Sequence, residues 1–367
     1  VTLVDSVGTG ELTTQSGRNA AGVGGDEFES AGSITINGGT VTATAGWNAA
    51  GIGGGDRAKG GQVTINGGTV IATGGELNGP GIGAGTRGGD IGTVSINGGV
   101  VTALGGLGAA GIGRGFLIDF DFVDEGGSVT ITAGTVIATG GSGASGIGGG
   151  RGDDTPGVQV SLSGGMITAT GGSSSSAGGG AGIGAKGSLS ATPELGSAQV
   201  SGTVLGPLGT GANGATGSNS AVAPGAGVTF SSAPSAGRYV SVTTTDGVPP
   251  DSGTGGRVVI EYSFDVTLDR ANGSSAEFAR VDAETTLAEP ADPTREGFAF
   301  DGWRVGSASG PVYDFTTPVS GPIGLVAAWR PILADTGVDA QPWLGAALSL
   351  MLLGGALLVM TRRRRLT

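Results

Sequence analysis

The chain contains no cysteine and no histidine in 367 residues. Thiol nucleophiles, disulfides, imidazole general bases and Cys/His zinc sites are excluded together. Zero cysteine suits an exported chain, because no part of its fold depends on an oxidising step. Charge is scarce too: only 13% of residues carry one, about half the usual quarter. The balance is acidic, with a net charge of −12 that already includes four arginines clustered at 362–365. A nucleic-acid partner is therefore not expected. Aromatics make up 5%, and more than half of them fall between 257 and 331, which marks that segment as a separate core.

What the chain has in excess is glycine, 82 residues or roughly three times the ordinary share. The glycines keep no three-residue period, so a collagen helix is excluded. They punctuate a longer repeat. It reads Ile34-Thr-Ile-Asn-Gly-Gly-Thr-Val41-Thr-Ala-Thr, then Gly51-Ile52-Gly53, and begins again at Val63, Val94, Val129 and Val160. The starts are 29, 31, 35 and 31 residues apart, and a degenerate copy ends in Gly22-Val23-Gly24. A fixed period of this size points to a solenoid.

Within one copy Ile34 and Ile36 alternate with Thr35, and beyond the Asn37-Gly38-Gly39 corner Val41 and Ala43 alternate with threonines. Period-2 alternation puts the aliphatic residues on one side and the threonines on the other. Ile52, between glycines, supplies a third inward position. No single coil can bury its apolar side, whereas stacked coils share one. The pattern predicts a right-handed parallel β-helix, with Asn37, Asn66 and Asn97 stacked as an amide ladder that weakens at Thr132 and Ser163. The alternative reads Asn37-Gly38 as a type I′ turn and each copy as a hairpin; it leaves exposed edges and gives Gly-Ile-Gly no role.

The Gly-rich coils resemble the β-helical repeats of bacterial surface proteins, some of which bind carbohydrate. The resemblance implies a polysaccharide or a host surface as partner. A basic residue follows most copies, Arg57, Arg87, Arg114, Arg151 and Lys186, and stacked coils could gather these as a loose cationic stripe facing an acidic glycan. Their offsets vary, however, and all but Lys186 have an aspartate nearby, so local ion pairing is the favoured reading. β-Helix lyases and hydrolases instead work with clustered aspartates, often Ca²⁺ and an arginine. Here Asp56, Asp90, Asp119, Asp121, Asp124, Asp153 and Asp154 follow Gly-Ile-Gly without a common offset, so a surface polysaccharide lyase or hydrolase is the alternative to a non-enzymatic binder. Gly53-Gly54-Gly55-Asp56 is similar to a toxin-type Ca²⁺ nonapeptide but lacks its period. No cofactor is expected, and Ca²⁺ is the one ion the sequence hints at.

Residues 1–197 are read as the β-helix and 198–256 as its cap, near Arg238–Val242, followed by a Gly/Ser/Pro linker. Segment 257–331 carries Pro293-Thr-Arg-Glu-Gly-Phe-Ala-Phe-Asp-Gly-Trp303 and Ala327-Ala-Trp329. This wording resembles the internalin B-repeat, which implies a small β-grasp-like domain with Trp303 and Trp329 in its core.

Residues 332–367 hold Leu333-Ala334-Asp335-Thr336-Gly337, the uncharged run Trp343–Met360 of eighteen residues, and the arginines. As a helix that run spans about 27 Å, near the ~30 Å hydrocarbon thickness. The order of motif, transmembrane helix and basic stop resembles the cell-wall sorting signal of Gram-positive surface proteins, with Ala334 where the usual form has proline. The resemblance implies that a sortase cysteine attacks the Thr336 carbonyl and expels the Gly337 amine. A peptidoglycan amine then resolves the thioester. The expected product is extracellular and fixed to the wall, held in the membrane only until it is cut. Export calls for a signal peptide ahead of Val1.

Overall fold

The computed structural model describes residues 1–5, 9–117, 126–152, 158–174, 179–184, 198–205, 230–233, 235–247 and 255–332. The sorting pentapeptide 333–337, the apolar run 343–360 and the arginine cluster lie outside the described residues, as does Lys186. All regular structure among the described residues is β.

Each copy of the repeat lays down three strands. In the first regular copy they are Ser33–Ile36, Thr40–Thr44 and Ile52–Gly53. Equivalent strands of successive copies stack in parallel into three sheets, the third with six strands, one per coil. The result is a parallel β-solenoid of about six turns.

Register runs one-to-one along the stack. Ile36 pairs with Ile65, Ile65 with Ile96, Ile96 with Ile131 and Ile131 with Leu162, and all are fully buried. Val41 and Ala43 belong to the second inward column set, and Ile52, stacked on Val23, to the third. Thr35 lies beside Thr64 of the next coil rather than across a turn from Thr42, so the hairpin alternative fails.

The Gly-Ile-Gly wording has a steric origin. Gly53 has φ of 141°, and a Cβ there would collide with the carbonyl of Gly83 in the next coil. Only glycine lets the third sides approach this closely.

The first sheet continues in parallel through Ala198–Ser201 and Phe230–Ala233, whereas in the second sheet the coils end on a reversed strand. Arg257–Asp269 is thirteen residues long, and its first five run antiparallel to Met166–Thr170 in the second sheet. Val258 opposes Ala169 and Ile260 opposes Ile167, so the inward columns continue through a strand of opposite direction. Its other edge takes Arg238–Thr245. The strand expected near Arg238–Val242 exists, but the one that touches the last coil comes from the segment assigned to the following domain. The alternation of Val258, Ile260 and Tyr262, all buried, is what matches the apolar columns.

Beyond Tyr262 the same strand changes partners. Glu277–Asp282 pairs antiparallel on one side, Ile323–Pro331 parallel on the other, and Phe298–Val305 completes the sheet. Trp303 is buried, with the Phe300 ring 5.7 Å away and edge-on. Trp329 is only half-buried and donates its indole N–H to the Arg270 carbonyl at 2.9 Å. A β-grasp lays a helix on its sheet, whereas 283–297 carries none. Pro290, Pro293 and Gly297 interrupt that connection, so the region is a four-stranded mixed sheet.

Candidate functional site: the outward faces of the stack

The outer side of the first sheet is entirely polar across its central coils. Thr35, Thr64, Ser95, Thr130 and Ser161 form its middle column. At the corner that follows, Asn66 donates to Asn37 Oδ1 at 2.7 Å and Asn97 to Asn66 Oδ1 at 2.9 Å. The Thr132 hydroxyl donates to Asn97 Oδ1 at 3.0 Å. The expected ladder is present, and a hydroxyl takes over from the amide at Thr132. Near the far end of this face a hollow of about 270 Å³ is lined by Thr130, Gln159, Ser161 and Gln199 among others.

The second sheet presents a different outer surface. Its middle column reads Thr42, Ile71, Thr102, Ile137, Thr168, alternating hydroxyl and aliphatic side chains coil by coil. Val100, Leu104 and Met166 add exposed aliphatics on either side.

A second amide ladder, not anticipated from the sequence, stands at the corner between the second and third sheets. Asn48 donates to Asn19 Oδ1 at 3.3 Å and Asn78 to Asn48 Oδ1 at 3.2 Å. The shared wording Gly17-Arg-Asn19 and Gly46-Trp-Asn48 was the available signal; the extra residue in Gly75-Glu-Leu-Asn78 hid the third member. Outside this ladder Trp47, Leu77 and Leu107 form an exposed ridge, with Leu77 N–H bonded to the Trp47 carbonyl. The Arg18 guanidinium lies 4.0 Å from the Trp47 ring centroid.

Among the described residues Arg57, Arg87, Arg114 and Arg151 do not form one exposed stripe. Arg57 and Arg87 occupy equivalent left-handed positions, φ 61° and 59°, and Arg57 N–H donates to the Thr86 carbonyl at 2.7 Å. Arg151 stands with its guanidinium 5.9 Å from the Phe116 ring. Arg114 is a correction: at 1% exposure it is buried, with Nη2 on the Gly126 carbonyl at 3.3 Å. It pairs with Ala84 and lies two residues after Ile112, so strand alternation turns it inward with that isoleucine.

Asp56 is buried beside Arg57 and Arg87, and its Oδ1 has no hydrogen-bond partner among the described residues. Burial raises its carboxyl above the ordinary aspartate range, while Arg87 and Arg57 pull it part of the way back. Asp90 accepts the Gly92 N–H at 2.7 Å and faces Lys59 at 3.8 Å. Asp119, Asp121, Asp124, Asp153 and Asp154 lie outside the described residues. Among the described residues no three acidic side chains gather as a metal site.

Residues 34–56, 63–86, 94–113 and 129–151 each match the family described as Beta helix repeat. Residues 264–328 match the Listeria-Bacteroides repeat domain. Comparison with curated proteins gives no match. The second match begins at Phe264, just past the point where the long strand leaves the last coil. One strand, Arg257–Asp269, thus joins the coils that match the β-helix repeat to the segment that matches the Listeria-Bacteroides repeat domain.

Proposed function

We propose that this is a surface-displayed binding protein, joined covalently to peptidoglycan by a sortase at Thr336, whose solenoid serves adhesion through a glycan. The observation that carries the anchoring is the order of Leu333-Ala334-Asp335-Thr336-Gly337, an eighteen-residue apolar run and four arginines. The pairing of a β-helix array with a Listeria-Bacteroides repeat domain is consistent with surface display. In this reading the C-terminal sheet, the finer internalin-type module, is the spacer between wall and solenoid. The chain is a substrate of the anchoring reaction: the nucleophile belongs to the sortase, and Thr336 supplies the acyl group.

Binding is preferred to catalysis because the described outer faces are built from hydroxyls, amides and aliphatic side chains in repeating columns. Thr336→Ala tests the anchoring in cells carrying the full chain. The wild-type protein should be released only by muralytic digestion, and the variant should stay with the membrane fraction. A variant still released only with the wall would refute the assignment.

A further inference from the structure

Resting on that binding reading, we propose that the ligand surface is the outer face of the second sheet with its Trp47–Leu77–Leu107 ridge, and that the ligand is a neutral, extended, β-linked polysaccharide.

Two faces of one stack differ in their outward side chains. Both belong to the same coils, meet the same solvent and need the same solubility. On the first sheet the outward positions from Ser33 to Ser161 are serine, threonine and glutamine throughout. On the second, Ile71, Val100, Leu104, Ile137 and Met166 stand 37–45% exposed. Solubility therefore does not explain the aliphatics, and exposed apolar side chains gathered on one face mark a surface that meets something.

Charge narrows the partner. Fifteen outward positions on the second-sheet strands from Thr40 to Thr170 are ten threonines and five aliphatics, with no charged residue. An ordinary surface is at least about a quarter charged, so about four would be expected. An anionic membrane calls for clustered basic side chains, whereas this face has only Arg257 on the reversed end strand and Arg18 stacked on the Trp47 ring. An acidic glycan calls for them too, and Arg57, Arg87 and Arg151 follow the third-sheet strands, with Arg114 buried.

Periodicity narrows it further. Parallel coils repeat about every 4.8 Å, and the middle column alternates threonine with isoleucine at every step. A pyranose presents an apolar C–H face and a hydroxyl rim, the same two chemistries. In an extended β-linked chain each sugar advances by a length close to one coil. Along the middle column such a chain meets a hydroxyl and an aliphatic side chain at alternate sugars. The ridge, exposed by 45%, 44% and 59% at Trp47, Leu77 and Leu107, supplies a wall at the edge, with the indole face opposite Arg18 as stacking surface.

The test uses depletion of the full chain from solution by cellulose and chitin particles, beside an acidic polysaccharide, at low and high salt. Wild type should bind a neutral matrix, and added salt should leave that binding within about twofold. Ile71→Glu with Ile137→Glu should weaken it at least tenfold, and Trp47→Ala several-fold. Thr64→Glu with Thr130→Glu, on the first sheet, should change it less than twofold. Should the glutamate pair fail to fold, Ile71→Thr with Ile137→Thr extends an existing threonine column and should still lower binding several-fold. Salt-sensitive binding to the acidic matrix alone, or loss through the first-sheet variants instead, overturns this inference and leaves glycan binding intact. No binding to any of the three overturns both.

Discussion

The Glu284 carboxylate accepts a hydrogen bond from the Gly134 N–H at 2.7 Å, across 150 residues of sequence. Gly134 sits at a corner of the solenoid, and Glu284 follows the strand Glu277–Asp282 of the C-terminal sheet. With the buried bond from the Tyr262 hydroxyl to the Leu162 carbonyl at 2.6 Å, it ties sheet to stack. Burial pushes the Tyr262 phenol well above its ordinary range, so it remains a donor at neutral and mildly alkaline pH.

Glu284→Ala should therefore loosen the junction. A bond to a charged acceptor contributes about 1.5–3 kcal/mol, and partial exposure puts this one at the low end. Hydrogen exchange at the Gly134 amide should accelerate while amides of the central coils stay protected. Unchanged exchange at Gly134 would show that the carboxylate does not hold the junction.

Charge placed in the inward column separates core from face. Ile96→Asp buries a carboxylate between Ile65 and Ile131 with no partner and should abolish cooperative unfolding. Thr35→Asp, outward and one residue from an inward site, should shift stability by about 0.5 kcal/mol or less. Cysteines at Thr35 and Thr64, paired in adjacent strands, should crosslink. A tolerant Ile96 and a failed crosslink together would contradict the stacked register.

Gly53→Ala meets two obstacles, φ of 141° and the carbonyl of Gly83. The backbone term alone is about 1–3 kcal/mol, with the clash in addition. Gly17→Ala, at a corner with ordinary φ and open space where a Cβ would go, should be nearly silent. Equal melting temperatures for the two variants would remove the steric account of Gly-Ile-Gly.

Asp56 gives the solenoid a pH dependence of definite sign. Its folded carboxyl titrates above the ordinary aspartate range, chiefly through burial. Between the ordinary and the raised value the folded state holds more protons than the unfolded, so stability falls as pH rises through that window. Asp56→Asn should remove this fall, and the variant's advantage over wild type should grow from acid to neutral pH. Urea midpoints measured across that range check it; a constant difference would mean that Asp56 does not titrate as its burial implies.

Much of this was legible in the residues themselves. Period-2 alternation of Ile34, Ile36, Val41 and Ala43, recurring about every thirty residues, has one economical solution, a shared core between stacked coils. The Asn37–Asn66–Asn97 ladder followed from equal offsets, and the inward turn of Arg114 was readable from its distance to Ile112. The exposed apolar face was harder to see, because Ile71, Leu104 and Ile137 occupy threonine positions in separate copies and meet only when coils stack.

The way the stack ends was decided by tertiary structure. Composition drew a boundary at residue 257, yet Val258 and Ile260 fill columns begun by Ala169 and Ile167, and the same strand then enters a different sheet. Local sequence determines which side of a strand is apolar. It does not determine which of two competing edges, Arg238–Thr245 or Arg257–Asp269, reaches the last coil first, because that depends on apolar surface that exists only once the coils are in place.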